Sequence, residues 1–320
     1  MKLLNDLLRP VFDLLQSPFI GLPAFVGILV WSIPVGVFAL WVFGKTSNQE
    51  RIAEVKRRIF AGLFEIRLFN DDLRAIMRAQ GEILRHVLHY QALALKPMIF
   101  ILPPLVLVMV QLHQFYGFRG LRPGEEVLLT VQLAPDSVEA GRRPDFSLEL
   151  PPGLHAAMEP VWVPSLDQIT WRLGVDDWGD WDLAIDVDGA TFAKSIRATK
   201  ELVRLSPERP PNTFMGQLEW PSEAPLDEGG AVHSMTLGYS EGSVGILGWD
   251  FEWRYAWMVV FFVLTMVVAV VLYQVEGLRE FPPSALGRAT TFAQVLTVSV
   301  VLLASSLYHS ATLAQGRFSC

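Results

Sequence analysis

His86 and His89 stand one helical turn apart and follow Glu82, and paired imidazoles beside a carboxylate are how a zinc site begins. No further ligand lies at a suitable spacing, so the pair belongs to a solvated helix face. The run Asp176, Asp177, Asp180, Asp182, Asp186 and Asp188 offers the oxygen ligands that calcium prefers. It lacks the spacing of a calcium loop, and alternation with Trp181, Leu183, Ile185 and Val187 already puts half of these carboxylates on the wet face of a strand. There is no Gly-rich phosphate loop, no nucleophile elbow, and no His and carboxylate arrangement within one element. The chain reads as non-enzymatic, with no metal and no cofactor. What remains is a set of uncharged polar residues inside apolar runs: Ser32, Gln111, Gln114, Gln294 and Ser299, with His113 and His309 near the run ends. In a bilayer such side chains join helices by hydrogen bonds or line a polar path.

Those residues must be positioned by the runs that contain them. Pro18 to Phe43 has no charge and is long enough to cross a hydrocarbon core of roughly 30 Å. Met98 to Tyr116 is about the minimum length and carries Pro103 and Pro104 near its start. Ala256 to Tyr273 is uniformly apolar and is preceded by Trp249, Trp253, Tyr255 and Trp257, an interfacial aromatic belt. Thr291 to His309 carries Ser299, Ser305 and Ser306, which suits a helix packed against others. The composition, 51% hydrophobic and 18% charged, fits an integral membrane protein better than a soluble acidic one. Four transmembrane helices are expected, at 19–43, 97–116, 254–273 and 291–309.

Charge is segregated along the chain. Residues 44–96 hold ten Lys and Arg against six Asp and Glu, whereas residues 117–252 hold ten against twenty-three. Basic residues near span ends resist translocation, so 44–96 and the loop 274–290, with Arg279 and Arg288, face the cytoplasm. Both termini and residues 117–252 are then extracytoplasmic, and the placement that follows is a bacterial inner membrane.

Within 44–96, Ile52, Val55, Ile59, Leu63 and Ile66 recur at helical steps, as do Leu73, Ile76, Ile83, Leu84 and Val87. Asn70 or Asp71 is the expected N-cap of the second helix, and the short connection predicts an antiparallel hairpin. Its polar faces carry Lys56, Arg57, Arg58, Arg67, Arg74, Arg78 and Arg85. This basic surface suits anionic lipid headgroups, or a nascent chain or ribosome, without specific nucleic-acid recognition.

At the N-terminus, Leu3, Leu4, Leu7, Leu8, Val11, Leu14 and Leu15 lie at helical spacing with Asp6, Arg9 and Asp13 between them. Residues 1–18 are expected to form an amphipathic interfacial helix, not a cleaved signal. The single cysteine, Cys320 in the tail 310–320, excludes an intramolecular disulfide.

Between the second and third spans, EVLLTVQL, DFSLEL, QITWRLGV, DLAIDVD and TFAKSIRA are short alternating runs separated by Pro, Gly and Asp clusters. They predict an all-β domain of the immunoglobulin-like sandwich type within 117–252. Residues 206–225, with five prolines, predict an extended connector, and VHSMTLGY with SVGILGW returns to a strand pattern.

The order of elements resembles the YidC superfamily of membrane insertases, including archaeal YidC-like proteins and the insertase subunit of the endoplasmic reticulum membrane complex. The residues that carry the likeness are SNQERIAEVKRRI at the hairpin start, EIRLFNDDL at its bend and LKPMIFILPPLVLVMVQL entering the second span. The stretch from Asn5 to Leu121, with Ala256 to Tyr273 as a third core helix, covers less than half of the chain. The resemblance implies insertion of hydrophobic segments without nucleotide hydrolysis, through a polar groove between helices, with the hairpin receiving the client and Met77 and Met98 offering adaptable apolar contact. Bacterial members carry an arginine in that groove. Gly21 to Phe43 has no basic residue, so Ser32, Gln111, Gln114 and Ser299 are the groove candidates. The competing expectation is a non-enzymatic membrane scaffold whose extracytoplasmic β domain binds a partner protein.

Overall fold

Twenty residues without a charge from Ala24 to Phe43 have one cheap way to satisfy their backbone in the absence of other partners, which is to wind into a helix. The computed structural model describes residues 1–69, 72–134, 143–227, 229–246 and 248–275. Within these, the helices are α1 (Lys2–Gln16), α2 (Ala24–Thr46), α3 (Gln49–Leu68), α4 (Leu73–Tyr116), α5 (Phe214–Glu219) and α6 (Ala256–Val275). The expected fourth span at 291–309, with Gln294, Ser299 and His309, lies outside the described residues. So do most of the loop 274–290, Asn70, Asp71 and Cys320.

The described residues form two compact units, one made of Met1–Trp31 with Leu107–Phe261, the other of Ser32–Val106 with 262–275. In the second unit, Asn48 caps α3 by accepting from the Arg51 amide at 3.0 Å. The cap of α4 is Asp72, not Asn70 or Asp71; its Oδ1 accepts from the amides of Arg74 and Ala75 at 2.9 and 3.3 Å. The one-residue difference arises because each of these three residues is of a type that can cap, and only the backbone path selects among them.

The helices α3 and α4 pack against one another. Ile52, Val55 and Ala79 are buried, Lys56 Nζ lies 5.4 Å from the Tyr90 ring centre, and a Cβ on Gly62 would come within 2.6 Å of Ile83 Cγ1. Sequence spacing separates a hairpin helix from the span that follows it. The structure has a single 44-residue helix through Pro97, Pro103 and Pro104. Here α2 also meets α6, where a Cβ on Gly36 would sit 3.1 Å from Val268 Cγ1 and 3.3 Å from the Thr265 carbonyl.

Among the described residues, two helices, α2 and α4, are long and apolar enough to cross a membrane, and α6 is apolar over Ala256–Leu272. Only 28% of the apolar window of α2 and 11% of that of α4 is buried within the chain.

The first unit holds an antiparallel β region of eleven strands among the described residues: β1 (Glu126–Leu133), β2 (Phe146–Glu149), β3 (Leu154–Ala156), β4 (Val161–Val163), β5 (Gln168–Val175), β6 (Gly179–Val187), β7 (Ala190–Ala198), β8 (Glu208–Arg209), β9 (Val232–Leu237), β10 (Ser243–Ile246) and β11 (Trp249–Glu252). The larger sheet runs β3-β5-β1-β9-β8 with β4 also on β5, the smaller β2-β6-β7, and β10 pairs only with β11. Alternation decides which side chains are inside: Val127, Leu129 and Val131 from one sheet and Leu183, Ile185, Val187 and Ile196 from the other belong to one core. Both sheets therefore close on the same apolar layer. The β6-β7 hairpin turns on Asp188 and Gly189 at φ 50° and 80°, the left-handed pair that suits strand twist.

Two further departures from expectation occur in this unit. The proline-rich stretch 206–225 is not plain extended chain, since β8 extends the larger sheet and Thr213 caps α5 by accepting from the Gly216 amide at 3.1 Å. SVGILGW is also not one strand; its chain reverses at Gly248, φ 86°, between β10 and β11.

Candidate functional site

The helix α1 is held by its polar side. Asn5, Arg9, Asp13 and Gln16 recur at steps of four and three, so they share one face, and Asn5 and Gln16 are buried. Asn5 Nδ2 donates to the Gln217 carbonyl at 2.6 Å, and Arg9 donates to the carbonyls of Pro221 and Glu223 at 2.5 and 3.1 Å. Gln16 Nε2 donates to the Tyr116 hydroxyl at 2.8 Å while its Oε1 accepts from Trp31 Nε1 at 3.0 Å, and Phe12 stacks on Trp31 at 5.0 Å. The opposite face, Leu3, Leu7, Val11, Leu14 and Leu15, is exposed. This is the reverse of a water-facing amphipathic helix, because the polar stripe is consumed by protein and the apolar stripe is free.

Arg204 stands at the centre of this seam. Its Nε donates to Asp13 Oδ1 at 2.7 Å, one Nη donates to Gln111 Oε1 at 2.9 Å, and its guanidinium lies 4.8 Å from the Phe115 ring centre. Burial works against the charge of Arg204, and the Asp13 carboxylate works to keep it. Gln114 is similarly engaged: its Oε1 accepts from Ser222 Oγ at 3.1 Å and its Nε2 donates to the Glu219 carbonyl at 3.3 Å. The structure thus brings Gln111 and Gln114 together, one turn apart, with bonds to the segment after β7. Ser32 is fully buried and belongs to the other unit.

His113 closes the aromatic side. Its Nδ1 accepts from Trp257 Nε1 at 3.3 Å, its ring stacks on Tyr255 at 5.6 Å, and Phe118 and Trp220 lie at 5.1 and 6.3 Å. These contacts tie α4, the start of α6 and the residue after α5 into one packed group.

Beneath the seam lies Lys194, which is wholly buried on β7. Its Nζ donates to the Ser206 carbonyl at 2.5 Å, to Ser206 Oγ at 3.1 Å and to Glu223 Oε1 at 3.2 Å. Glu223 also accepts from the Ser195 hydroxyl and, at 2.9 Å, the Ser195 amide. A serine beside a buried lysine is how some nucleophiles are activated. Here every ammonium proton has an acceptor and Ser206 is 5% exposed, so the cluster works as a staple between β7 and the proline-rich stretch. Burial lowers the Lys194 pKa and Glu223 opposes that shift. Nearby, burial with the Glu219 charge pushes Glu208 up to about 7.

No family model, curated protein or solved structure matches the chain. The site therefore stands on its own geometry.

Of the basic residues, Arg57, Arg58, Arg74, Arg78 and Arg85 are exposed, Lys56 is half-buried over Tyr90, and Arg58 pairs with Glu54 at 2.5 Å. The acidic run is used locally: Asp186 accepts from the Gly189 amide at 3.1 Å, Asp188 from the Asp145 amide at 2.9 Å, and Asp176 meets His155 at 2.9 Å. Among the described residues, no group of three His, Cys, Asp or Glu could hold a metal. Sequence reasoning missed Arg204, Asp13 and Lys194. A cation in a β region has no periodic signature, whereas the spacing of Asn5, Arg9, Asp13 and Gln16 was a visible signal of a partner face.

Proposed function

We propose that this chain is an integral membrane protein that assists insertion of hydrophobic segments, of the kind found in the YidC superfamily. The observation that carries this reading is α4, a helix that begins in a basic, two-helix hairpin and continues without interruption into an apolar stretch long enough to cross a membrane. The exposed apolar surfaces of α2, α4 and α6 support a lipid environment, since a solvated protein would bury them. In this reading α2, α4 and α6 cross the bilayer, the hairpin is cytoplasmic, and the N-terminus and the β region lie outside a bacterial inner membrane. The leucine face of α1 rests in the outer interface. The β region is an immunoglobulin-like sandwich, a reading supported by its two antiparallel sheets and their common core. Ser32, Gln111 and Gln114 are the polar groups that the apolar helices α2 and α4 contribute to this reading, and no chemical step is required of them.

A second reading, a non-enzymatic scaffold whose β region binds an extracytoplasmic protein, is favoured by one observation. The side chains of Gln111 and Gln114 are already bonded to Arg204, Ser222 and the Glu219 carbonyl, which makes them parts of a mount for the β region. Photo-crosslinking separates the two. A crosslinker at Ser32 that labels short, newly made membrane proteins supports insertion, whereas capture only from positions on the β sheets supports the scaffold.

A further inference from the structure

Trp249, Phe251 and Trp253 alternate with Asp250 and Glu252, so the chain along β11 turns its aromatic side chains one way and its carboxylates the other. Of the aromatic residues ahead of α6, Trp257 is fully buried and Tyr255 is stacked on His113. Trp249, Phe251 and Trp253 instead stand 74%, 49% and 51% exposed. The opposite side of the β10-β11 hairpin, where Ser243 pairs with Glu252, forms one wall of a cleft of about 340 Å³. Its other walls are Arg119 and Arg122, from the chain after α4, and Ser240 and Glu241, from the chain after β9.

This cleft is fixed beside the ends of two apolar helices. The Arg119 amide donates to the Ser240 carbonyl at 3.1 Å and the Gly242 amide to the Gly117 carbonyl at 3.0 Å, which ties the cleft to the end of α4. On its other side, α6 begins at Ala256, four residues after Glu252. Where α4 and α6 cross a bilayer, residues this close to both helix ends lie in the headgroup layer, roughly 5–8 Å deep on each side of the hydrocarbon core.

Most of the charge around the cleft is already matched. Arg119 is held by Glu125 through two bonds of 3.0 and 2.8 Å, and Glu125 also accepts from the Arg122 amide at 3.1 Å. Glu241 has Arg254 Nε 3.9 Å away. That leaves the Arg122 guanidinium and the Glu252 carboxylate, both exposed, without a hydrogen-bond or ion-pair partner among the described residues. A simple anion would meet Glu252 unfavourably, and a simple cation would meet Arg122. A ligand that carries both signs fits, with a phosphate for the guanidinium fork and a primary ammonium for the carboxylate.

We propose that this cleft takes the phosphoethanolamine head of a phospholipid in the outer leaflet. The phosphate lies on Arg122 with the Ser240 and Ser243 hydroxyls, the ammonium lies on Glu252, and Trp249, Phe251 and Trp253 rest in the membrane interface. The lipid source rests on the membrane placement of α4 and α6 proposed above; the headgroup chemistry rests on the cleft.

The test mixes the full chain in detergent micelles with dioleoyl phosphatidylethanolamine, phosphatidylcholine or phosphatidylglycerol and measures retained lipid by native mass spectrometry. Phosphatidylethanolamine is expected to be retained about five-fold or more over either, because choline has no N–H to give Glu252 and glycerol has no cation. Arg122→Gln should lower that retention by about five-fold or more, and Glu252→Gln should erase the preference over phosphatidylcholine. Trp249→Ser with Trp253→Ser should weaken retention of the lipid and leave calorimetric binding of soluble glycerophosphoethanolamine unchanged. Equal retention of the three lipids, or Arg122 and Glu252 variants that match the natural chain, would overturn the cleft. Glycerophosphoethanolamine bound as tightly as the lipid would assign the cleft to a free phosphodiester and overturn the lipid source. A dye at position 263 of α6, attached in a Cys320→Ser background and read in phosphatidylcholine nanodiscs, tests the placement separately. Quenching there by acyl-chain nitroxides, with no phosphatidylethanolamine preference in micelles, overturns the cleft and leaves the placement standing. A preference without quenching overturns the placement, and the lipid source with it.

Discussion

Arg204 reaches across 191 residues of sequence to place its Nε 2.7 Å from Asp13 Oδ1, and the same guanidinium holds Gln111. Replacing Arg204 with Met keeps the stem but strands Gln111 Oε1 in a buried site, and the expected loss is about 2–4 kcal/mol. Asp13→Asn should cost about 1 kcal/mol, because Asp13 is half-exposed and its charge is screened. Thermal denaturation of the full chain in detergent orders the two; an equal loss for both would mean that the pair, and not the seam around Arg204, carries the stability.

Stability should fall as pH rises from about 4.5 toward about 7, through Glu208. Its folded pKa, raised to about 7 by burial and by Glu219, lies above the ordinary 4.5. Across that window the folded state holds a proton that the unfolded chain has released, so raising the pH favours unfolding, by at most about 3 kcal/mol. Glu208→Gln should flatten this slope in melts taken at several pH values. A slope unchanged in the variant would assign it to other groups.

The leucine face of α1 should act on membrane contact and not on folding. Leu7→Glu and Leu14→Glu leave every bond of Asn5, Arg9, Asp13 and Gln16 in place. Melting of the β region is expected to stay within about 0.5 kcal/mol. A dye at position 11 should be quenched by nitroxide lipids in the natural background and lose that quenching in the Glu variants. Persistent quenching would show that the leucines are not the contact.

Gly62 permits the close approach of α3 and α4. Gly62→Val should clash with Ile83 and destabilise the hairpin by about 1–3 kcal/mol, with Ile83→Ala restoring part of it. Helicity melts of the double and single variants read this coupling directly.

Period-two runs predicted five principal strands closely, because inward alternation is enforced by burial: Leu183, Ile185 and Val187 are inside as their pattern requires. Short β3, β4 and β8 carried no such signal, since two or three residues cannot display a period. The hairpin was legible in Ile52 and Val55 on α3, but the continuity of α4 was not, because Pro97 reads locally as a stop while the helix on both sides carries it through. Gln111 and Gln114 were recognisable as polar residues in an apolar run. Their partners were not, because Arg204 and Ser222 come from distant sequence.

The inverted face of α1 places two kinds of constraint on one short stretch. Its outward positions need only be apolar, so leucine, isoleucine, phenylalanine or methionine would serve there about equally. The positions of Asn5, Arg9, Asp13 and Gln16 are specified atom by atom through their acceptors and donors. A saturation library of residues 2–16 would therefore separate into alternating tolerant and intolerant columns, with the polar residues of the helix, which ordinarily drift most freely, the ones that refuse substitution.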